Sequence, residues 1–233
     1  MAVTGVTAAT TTVPYPLAGS TIGRKVVMAT TGVVLFGFVL GHMLGNLQVY
    51  AGAAMYDHYS EFLHQFLHGT GIWLVRVILL LSVVLHIWAA WTTSRRSWAA
   101  RPIGYRRWVP RESTYASRTM RWGGVIILLF VLYHLADFTF GWHVIHPGFV
   151  PGDPYANFVA SFQRWPVALL YIVANIALGF HLRHGVWSML QTLGLSHPRY
   201  RRFAVAAALA FAVVVTLGNV SYPLAVLSGI VHL

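Results

Sequence analysis

The stretch of sequence that decides the fold is Gly71–Thr93, which reads GIWLVRVILLLSVVLHIWAAWTT. A helix needs about 20 mostly apolar residues to cross a bilayer, and this stretch supplies them. Arg76 and His86 are its two ionisable side chains. A polar residue at membrane depth is costly and marks function by default. The stretch therefore predicts a transmembrane helix that carries a functional histidine.

Four further stretches of the chain are equally apolar and long. They are Val26–Tyr50, Trp122–Trp142, Pro166–Leu190 and Phe203–Val231. The whole chain is 57% hydrophobic and 9% charged, whereas a soluble domain carries about 25% charged residues. We predict an all-α integral membrane protein with five transmembrane helices, numbered I to V with Gly71–Thr93 as helix II. Residues 21–233 would form one membrane domain, and residues 1–20 a flexible cytoplasmic tail.

The distribution of charge predicts the orientation of these helices. The net charge of +11 is concentrated before helix I and in the II–III and IV–V connections, whereas the I–II and III–IV connections hold Arg164 as their one cation. Cytoplasmic loops carry the excess of Lys and Arg. The amino terminus is therefore predicted to be cytoplasmic and the carboxyl terminus outside. The basic charge is a topology signal and a surface for anionic lipid, and no nucleic-acid partner is expected.

One connection contains a helical pattern that is too short and polar to span. Residues Met55–His68 carry apolar or aromatic side chains at helical spacing. We predict a short interfacial helix between helices I and II, lying flat at the outer surface.

Four of the twelve histidines lie well within spans, one on each of helices I to IV. His42 is 17 residues past Lys25, or about 25 Å from the cytoplasmic face, and His134 falls in the same outer half. His86 and His181 lie about 14 Å from that face. We call His42 and His134 the outer pair, and His86 and His181 the inner pair. The remaining eight are interpreted as ordinary interfacial polarity: His58, His64, His68, His143, His146, His184, His197 and His232.

Two imidazoles that face each other across a bundle at one depth form a bis-histidine haem site. Such iron has no open position and transfers electrons. The chain has no cysteine, which excludes thiolate-ligated clusters within it and covalent haem attachment. Glycines would leave space for a flat macrocycle, or alternatively would allow close helix packing. These are Gly37, Gly41, Gly45, Gly123, Gly124, Gly179 and Gly185.

Four sequence motifs resemble the b558-type, five-helix dihaem cytochrome b anchor of succinate:quinone oxidoreductases, over roughly residues 20–230. Gly41–Gln48 (GHMLGNLQ) resembles that family's helix I motif, and Arg118–Gly124 running on to His134 resembles helix III. Ala99–Pro102 resembles the end of the II–III connection. Phe180–Ser188 (FHLRHGVWS), followed by Gln191–Gly194, resembles helix IV.

The resemblance implies the same four haem ligands in the same two pairs. It selects His181 over His184, because the family's ligand precedes the helix IV glycine by four residues, as His181 precedes Gly185. His184 then becomes a candidate hydrogen-bond donor to an inner haem propionate.

The resemblance also implies a function. A flavoprotein subunit with FAD would oxidise succinate, and an iron–sulfur subunit would pass electrons to this anchor in a bacterial inner membrane. Two non-covalent b haems would relay them to a quinone, which in dihaem members is usually menaquinone. This chain would then be the quinone-reacting subunit, while FAD and the clusters stay in the partners. The resemblance does not decide whether the complex oxidises succinate or reduces fumarate by the reverse route. It also does not decide whether complexes assemble into a trimer.

Cations and hydrogen-bonding groups near the predicted haems give further candidates. We predict that Arg76 serves the outer haem propionates or a quinone carbonyl, with snorkelling to the interface as the alternative. The candidates for the inner propionates are Arg24, Lys25 and Arg183. Glu61 and His64, on one face of the interfacial segment, are predicted for an outer quinone site, and Ser20 with Arg24 or Lys25 for an inner one.

The sequence leaves the role of Asp137 open, and it allows two other function classes. Asp137 follows His134 by about one turn and could orient a ligand, relay protons or cap the wet end of helix III. A haem-free transporter would use the histidines as a proton relay. A dihaem anchor of a hydrogenase or formate dehydrogenase would have the same helices but a different partner.

Overall fold

The computed structural model describes residues 19–100, 103 and 114–233, and these residues form helices and connections without a β-strand. The α-helices of the described residues are α1 (Thr21–Asn46), α2 (Ala53–Gln65), α3 (Thr70–Ala99), α4 (Tyr115–His134), α5 (Pro154–Gln163), α6 (Trp165–Thr192) and α7 (Arg201–Leu227). A 3₁₀ segment, Leu47–Ala51, extends α1, and a π-helical segment, Leu135–Thr139, extends α4.

The five predicted transmembrane helices are confirmed. In the described part of the chain, α1, α3, α4, α6 and α7 are long and apolar enough to cross a membrane. They correspond to helices I to V in order. The predicted tail lies outside the described residues except for its last two. Arg101, Arg106, Arg107 and Arg111 of the II–III connection also lie outside them.

Side-chain caps fix the start of α1 and α4. The Ser20 hydroxyl accepts a hydrogen bond from the Gly23 amide (2.9 Å) at the start of α1. Thr114 caps α4 in the same way, through the Ser117 amide (3.2 Å). Such caps satisfy amides that have no partner within the helix.

The interfacial helix α2 is present, but its predicted end is wrong. It stops at Gln65, because the ψ angle of Phe66 (128°) is not helical and Leu67 and His68 have positive φ angles. The chain turns there towards α3 through Gly69, whose φ of 82° favours glycine.

Helix α5, in the III–IV connection, was not predicted. Asp153 caps it by accepting a hydrogen bond from the Ala156 amide (3.0 Å), and Pro154 occupies its first turn. This Asp-Pro pair is a helix-start signal. Tyr155, Phe158 and Phe162 of α5 are buried, so the helix closes one end of the bundle.

The transmembrane helices pack in a chain of neighbours. Helix α1 packs along α3 and α6, α4 packs along α6, and α7 packs along α6 and α1. The larger apolar cluster lies at the end covered by α2 and α5 and includes Met43, Phe158 and Tyr222. A smaller cluster around Leu182 and Val215 joins α6 to α7. One end of the bundle is therefore more closed than the other.

Candidate functional site

The structure brings together the histidines that were paired by depth. In the outer pair, the ring centroids of His42 on α1 and His134 on α4 are 5.8 Å apart, with the planes nearly perpendicular at 85°. In the inner pair, the rings of His86 on α3 and His181 on α6 are 6.4 Å apart, at 57°. Each pair thus consists of two imidazoles facing each other from different transmembrane helices.

Each pair connects helices that do not share a packed face in the described residues. Helices α1 and α4 carry the outer pair, and α3 and α6 carry the inner pair, whereas the packed neighbours are α1 with α3 and α4 with α6. The pairs therefore lie on the two diagonals of a four-helix arrangement. A diagonal leaves more width between backbones than a packed contact.

The two pairs are stacked along the bundle. A Cβ built at Gly32 of α1 would lie 3.7 Å from Cε1 of His86, and one at Gly124 of α4 would lie 3.9 Å from Cε1 of His181. His42 and His134 each follow these glycines by ten residues. At 1.5 Å of rise per residue, both helices place the outer pair about 15 Å from the inner pair.

The glycines proposed to flank the sites divide into two groups. A Cβ at Gly37, Gly41, Gly123 or Gly185 would meet no heavy atom within 4 Å among the contacts of the described residues. Gly45 instead lies against the Tyr59 ring, and Gly179 against the Thr216 side chain of α7. The close-packing alternative therefore holds for Gly45 and Gly179, while the first group borders open space.

Hydrogen bonds orient one histidine of each pair. Nδ1 of His86 lies 3.1 Å from the Thr31 hydroxyl, which itself donates to the carbonyl of Val27 (2.8 Å). Nδ1 of His134 lies 3.3 Å from the Tyr171 hydroxyl. Nδ1 of His181 is buried without a hydrogen-bond partner among the described residues. Neither Thr31 nor Tyr171 was predicted from the sequence.

Asp137 and His146 are both buried. Asp137 is fully buried within the π-helical segment, which rules out a role as a solvent-exposed cap of helix III. His146 is 2% exposed, with Nδ1 2.9 Å from Asp137 Oδ1. The interpretation of His146 as interfacial polarity is wrong, because the III–IV connection folds back under α5 and pairs it with this carboxylate.

A family comparison adds to this geometry. The family model described as the succinate dehydrogenase/fumarate reductase transmembrane subunit matches residues 100–217. The chain belongs to this family. No curated protein and no solved structure matches the chain.

As a succinate dehydrogenase/fumarate reductase transmembrane subunit, the chain is a multi-pass membrane protein and part of an enzyme complex that contains the other subunits. The family match favours this complex over a hydrogenase or formate dehydrogenase anchor. The matched residues include His134 and His181, whereas α1 and α3, with His42 and His86, precede them.

The cations proposed for the propionates of this transmembrane subunit occupy two settings. Arg24 and the arginines at the end of α3 line an open surface depression of about 320 Å³, and the Arg24 guanidinium lies 5.7 Å from the centre of the Trp88 ring. Lys25 and Arg183 are exposed. Arg76 is exposed, and its guanidinium carbon lies 4.8 Å from the centre of the Trp73 ring. His184 is half-buried one turn beyond His181.

The residues proposed for quinone are less closely grouped. Glu61 and His64 are both exposed on α2; Glu61 accepts a hydrogen bond from Gln65 (2.7 Å), and Nδ1 of His64 lies 2.8 Å from the Ser60 carbonyl. Ser20 caps α1 at the opposite end. The structure thus leaves the two α2 side chains on one exposed surface, with no ion pair between them among the described residues.

Tyr56 of α2 is half-buried and packs against the apolar cluster of the bundle. Burial raises the pKa of the Tyr56 hydroxyl, and the nearby Tyr222 and Asp57 add to the effect. The protonated hydroxyl donates a hydrogen bond to Oδ1 of Asn46 (2.8 Å). This contact ties α2 to the end of α1, four residues beyond His42.

Proposed function

We propose that this subunit holds two b haems, one between each histidine pair, and passes electrons through them from an iron–sulfur partner to a quinone. The observation that carries the proposal is the presence of two facing imidazole pairs about 15 Å apart along one bundle. Bound haem iron would supply a centre that accepts and releases one electron at a time.

The distances within each pair fit a shared metal. Metal–nitrogen bonds of about 2 Å place facing nitrogens about 4 Å apart, and each ring centroid lies roughly 1 Å behind its nitrogen. A shared metal therefore needs centroids about 6 Å apart, and the observed values are 5.8 and 6.4 Å.

The donor set points to a macrocycle. Within the described residues, no group of three or more His, Asp or Glu side chains is arranged to hold a metal ion. Two imidazoles suffice only where a ring such as porphyrin supplies the other ligands. His42 is exposed and the other three rings are half-buried, so a flat group can reach the facing nitrogens between the diagonal helices.

The hydrogen bonds leave the correct ring nitrogen free for a metal. The Thr31 hydroxyl donates to a backbone carbonyl, so it accepts from Nδ1–H of His86. The Nε2 of His86 then keeps its lone pair, which a haem iron requires. Fixing the tautomer through the second nitrogen is the usual way in which proteins orient a histidine ligand.

The open, basic depression at the end of α3 would hold the inner propionates. Its wall includes Thr92, six residues or about 9 Å along α3 from His86. Arg24, Arg95 and Arg96 line it and would neutralise two carboxylates by charge-assisted hydrogen bonds. The sequence-based candidates Lys25, Arg183 and His184 lie towards the same end of the bundle.

The proposed direction of electron flow follows from the predicted topology. With the amino terminus in the cytoplasm, the inner pair faces the iron–sulfur partner and the outer pair lies farther from it. Menaquinone at the outer end, near Arg76, Glu61 and His64, would then accept electrons after the outer haem. A quinone near Ser20 would instead receive them before either haem.

A comparison of two electron acceptors tests this proposal on the assembled complex. Succinate oxidation is measured with a soluble dye, which takes electrons upstream of this subunit, and with a menaquinone analogue. We expect His86→Ala to abolish quinone reduction and to leave dye reduction near the wild-type rate. His143→Ala, at an exposed histidine outside both pairs, serves as the control. Undiminished quinone reduction in His86→Ala would overturn the proposal.

A further inference from the structure

Tyr171 bridges the outer pair to a buried carboxylate. Its hydroxyl lies 3.3 Å from Nδ1 of His134 and 2.9 Å from Oδ2 of Asp137. Tyr171 is 5% exposed and Asp137 is fully buried. The three side chains thus form a continuous chain of hydrogen bonds from the imidazole into the interior.

The direction of these hydrogen bonds follows from the donors available. A carboxylate only accepts, so the single hydroxyl proton of Tyr171 is directed to Asp137. The hydroxyl oxygen then accepts from Nδ1–H of His134. This assignment leaves Nε2 of His134 without a proton.

The carboxylate is held by three further groups. The Ser161 hydroxyl donates to Oδ2 of Asp137 (2.7 Å), His146 Nδ1 lies 2.9 Å from Oδ1, and the Arg164 guanidinium lies 3.4 Å from Oδ1. Donors on both oxygens fix the position of Asp137. The π-helical segment, a widened turn that recurs at functional sites, places this carboxylate just beyond His134.

We propose that Tyr171 and Asp137 are positioning residues that set the redox potential of the outer haem. This inference rests on the proposed function, because it requires a haem on His134. A hydrogen bond from Nδ1–H into a chain ending on a carboxylate increases electron donation by the imidazole. Stronger donation stabilises the oxidised iron and lowers the potential of that haem.

The inner pair contains the matched neutral arrangement. His86 donates to the Thr31 hydroxyl, and that chain ends on a backbone carbonyl. His181 has no partner for Nδ1 in the described residues. Among the described residues, the chain that ends on a carboxylate therefore belongs to the outer pair. Through the hydrogen bonds of its ligands, the outer haem should have the lower midpoint potential of the two.

The test is a redox titration of the whole purified complex, combined with low-temperature electron paramagnetic resonance of the two oxidised haems. In Tyr171→Phe the aromatic ring and its packing on Phe130 and Phe162 are retained. We expect the midpoint potential of the outer haem to rise, its highest g-value to shift, and the inner haem to keep both values. Asp137→Asn should act in the same direction.

Two controls separate positioning from a general structural effect. Ser161→Ala removes a hydrogen bond from Oδ2 of Asp137 but leaves the Tyr171 contact, so it should not raise the potential of the outer haem. Thr31→Val should shift the inner haem alone. An unchanged outer haem in Tyr171→Phe, or an equal shift in Ser161→Ala, would overturn the inference. Absence of haem from the wild-type complex would instead overturn the proposed function.

Discussion

The outer and inner histidine pairs have the same side chains at similar spacing, yet their surroundings differ. The outer pair lies beside a dense aromatic cluster and a fully buried Asp137. The inner pair is bordered by Gly32, Gly124 and the neutral hydroxyl of Thr31. The difference shows how one bundle can give two chemically similar sites different electrostatic environments, which an electron relay needs if its centres are to differ in potential.

The largest expected effect comes from removing a ligand. We expect His42→Ala and His181→Ala each to halve the haem content per chain, because each proposed haem would be held by two imidazoles. The two variants should lose different signals in the electron paramagnetic resonance spectrum. Loss of the same signal in both would break the distinction between the pairs.

Space beside the inner pair gives the next largest effect. Gly124→Val would place a branched side chain within about 4 Å of His181 and should reduce inner haem occupancy severalfold while sparing the outer haem. Gly148→Val, in the III–IV connection and with no heavy atom within 4 Å of a Cβ built there, is the control. The comparison fails if both variants bind haem equally well, as judged by the reduced-minus-oxidised spectrum.

The buried carboxylate predicts an effect on stability at the outer end. Asp137→Ala leaves the Arg164, Ser161 and Tyr171 donors without their acceptor. A buried donor that is left without a partner costs about 1–3 kcal/mol. A clear fall in the thermal unfolding midpoint in detergent is therefore expected. Glu61→Gln, at an exposed position, should hardly change that midpoint.

Arg76 is expected to give the smallest effect. If it neutralises an outer propionate, Arg76→Gln lowers the outer haem potential, because a lost positive charge disfavours reduction. The sign is opposite to that expected for Tyr171→Phe. An unchanged potential would assign Arg76 to its stacking on Trp73 at the interface.

Sequence periodicity and apolar length were sufficient to predict the five spans and the facing histidines. Depth along a helix is nearly fixed by residue count, since each residue adds 1.5 Å. The same arithmetic could have found the bridging residues. Tyr171 precedes His181 by ten residues and Thr31 precedes His42 by eleven, which places each at the depth of the other pair.

The connections were harder to predict, because their structure depends on tertiary contacts. The Asp153-Pro154 pair is a sequence signal for the start of α5. The burial of His146 and Asp137 has no such signal, because it follows from α5 folding back over the bundle. The end of α2 depends on positive φ angles at Leu67 and His68, which no residue type there signals. The propionate and quinone contacts depend on groups that a sequence does not contain.

The most direct test of this account is the number of b haems per chain in the purified wild-type complex, measured by pyridine haemochrome assay against the protein concentration. Two haems per chain, both low-spin in the reduced spectrum, are predicted from the two histidine pairs. A complex that assembles with its partners and contains no haem would contradict the account, because the facing imidazoles would then have another role.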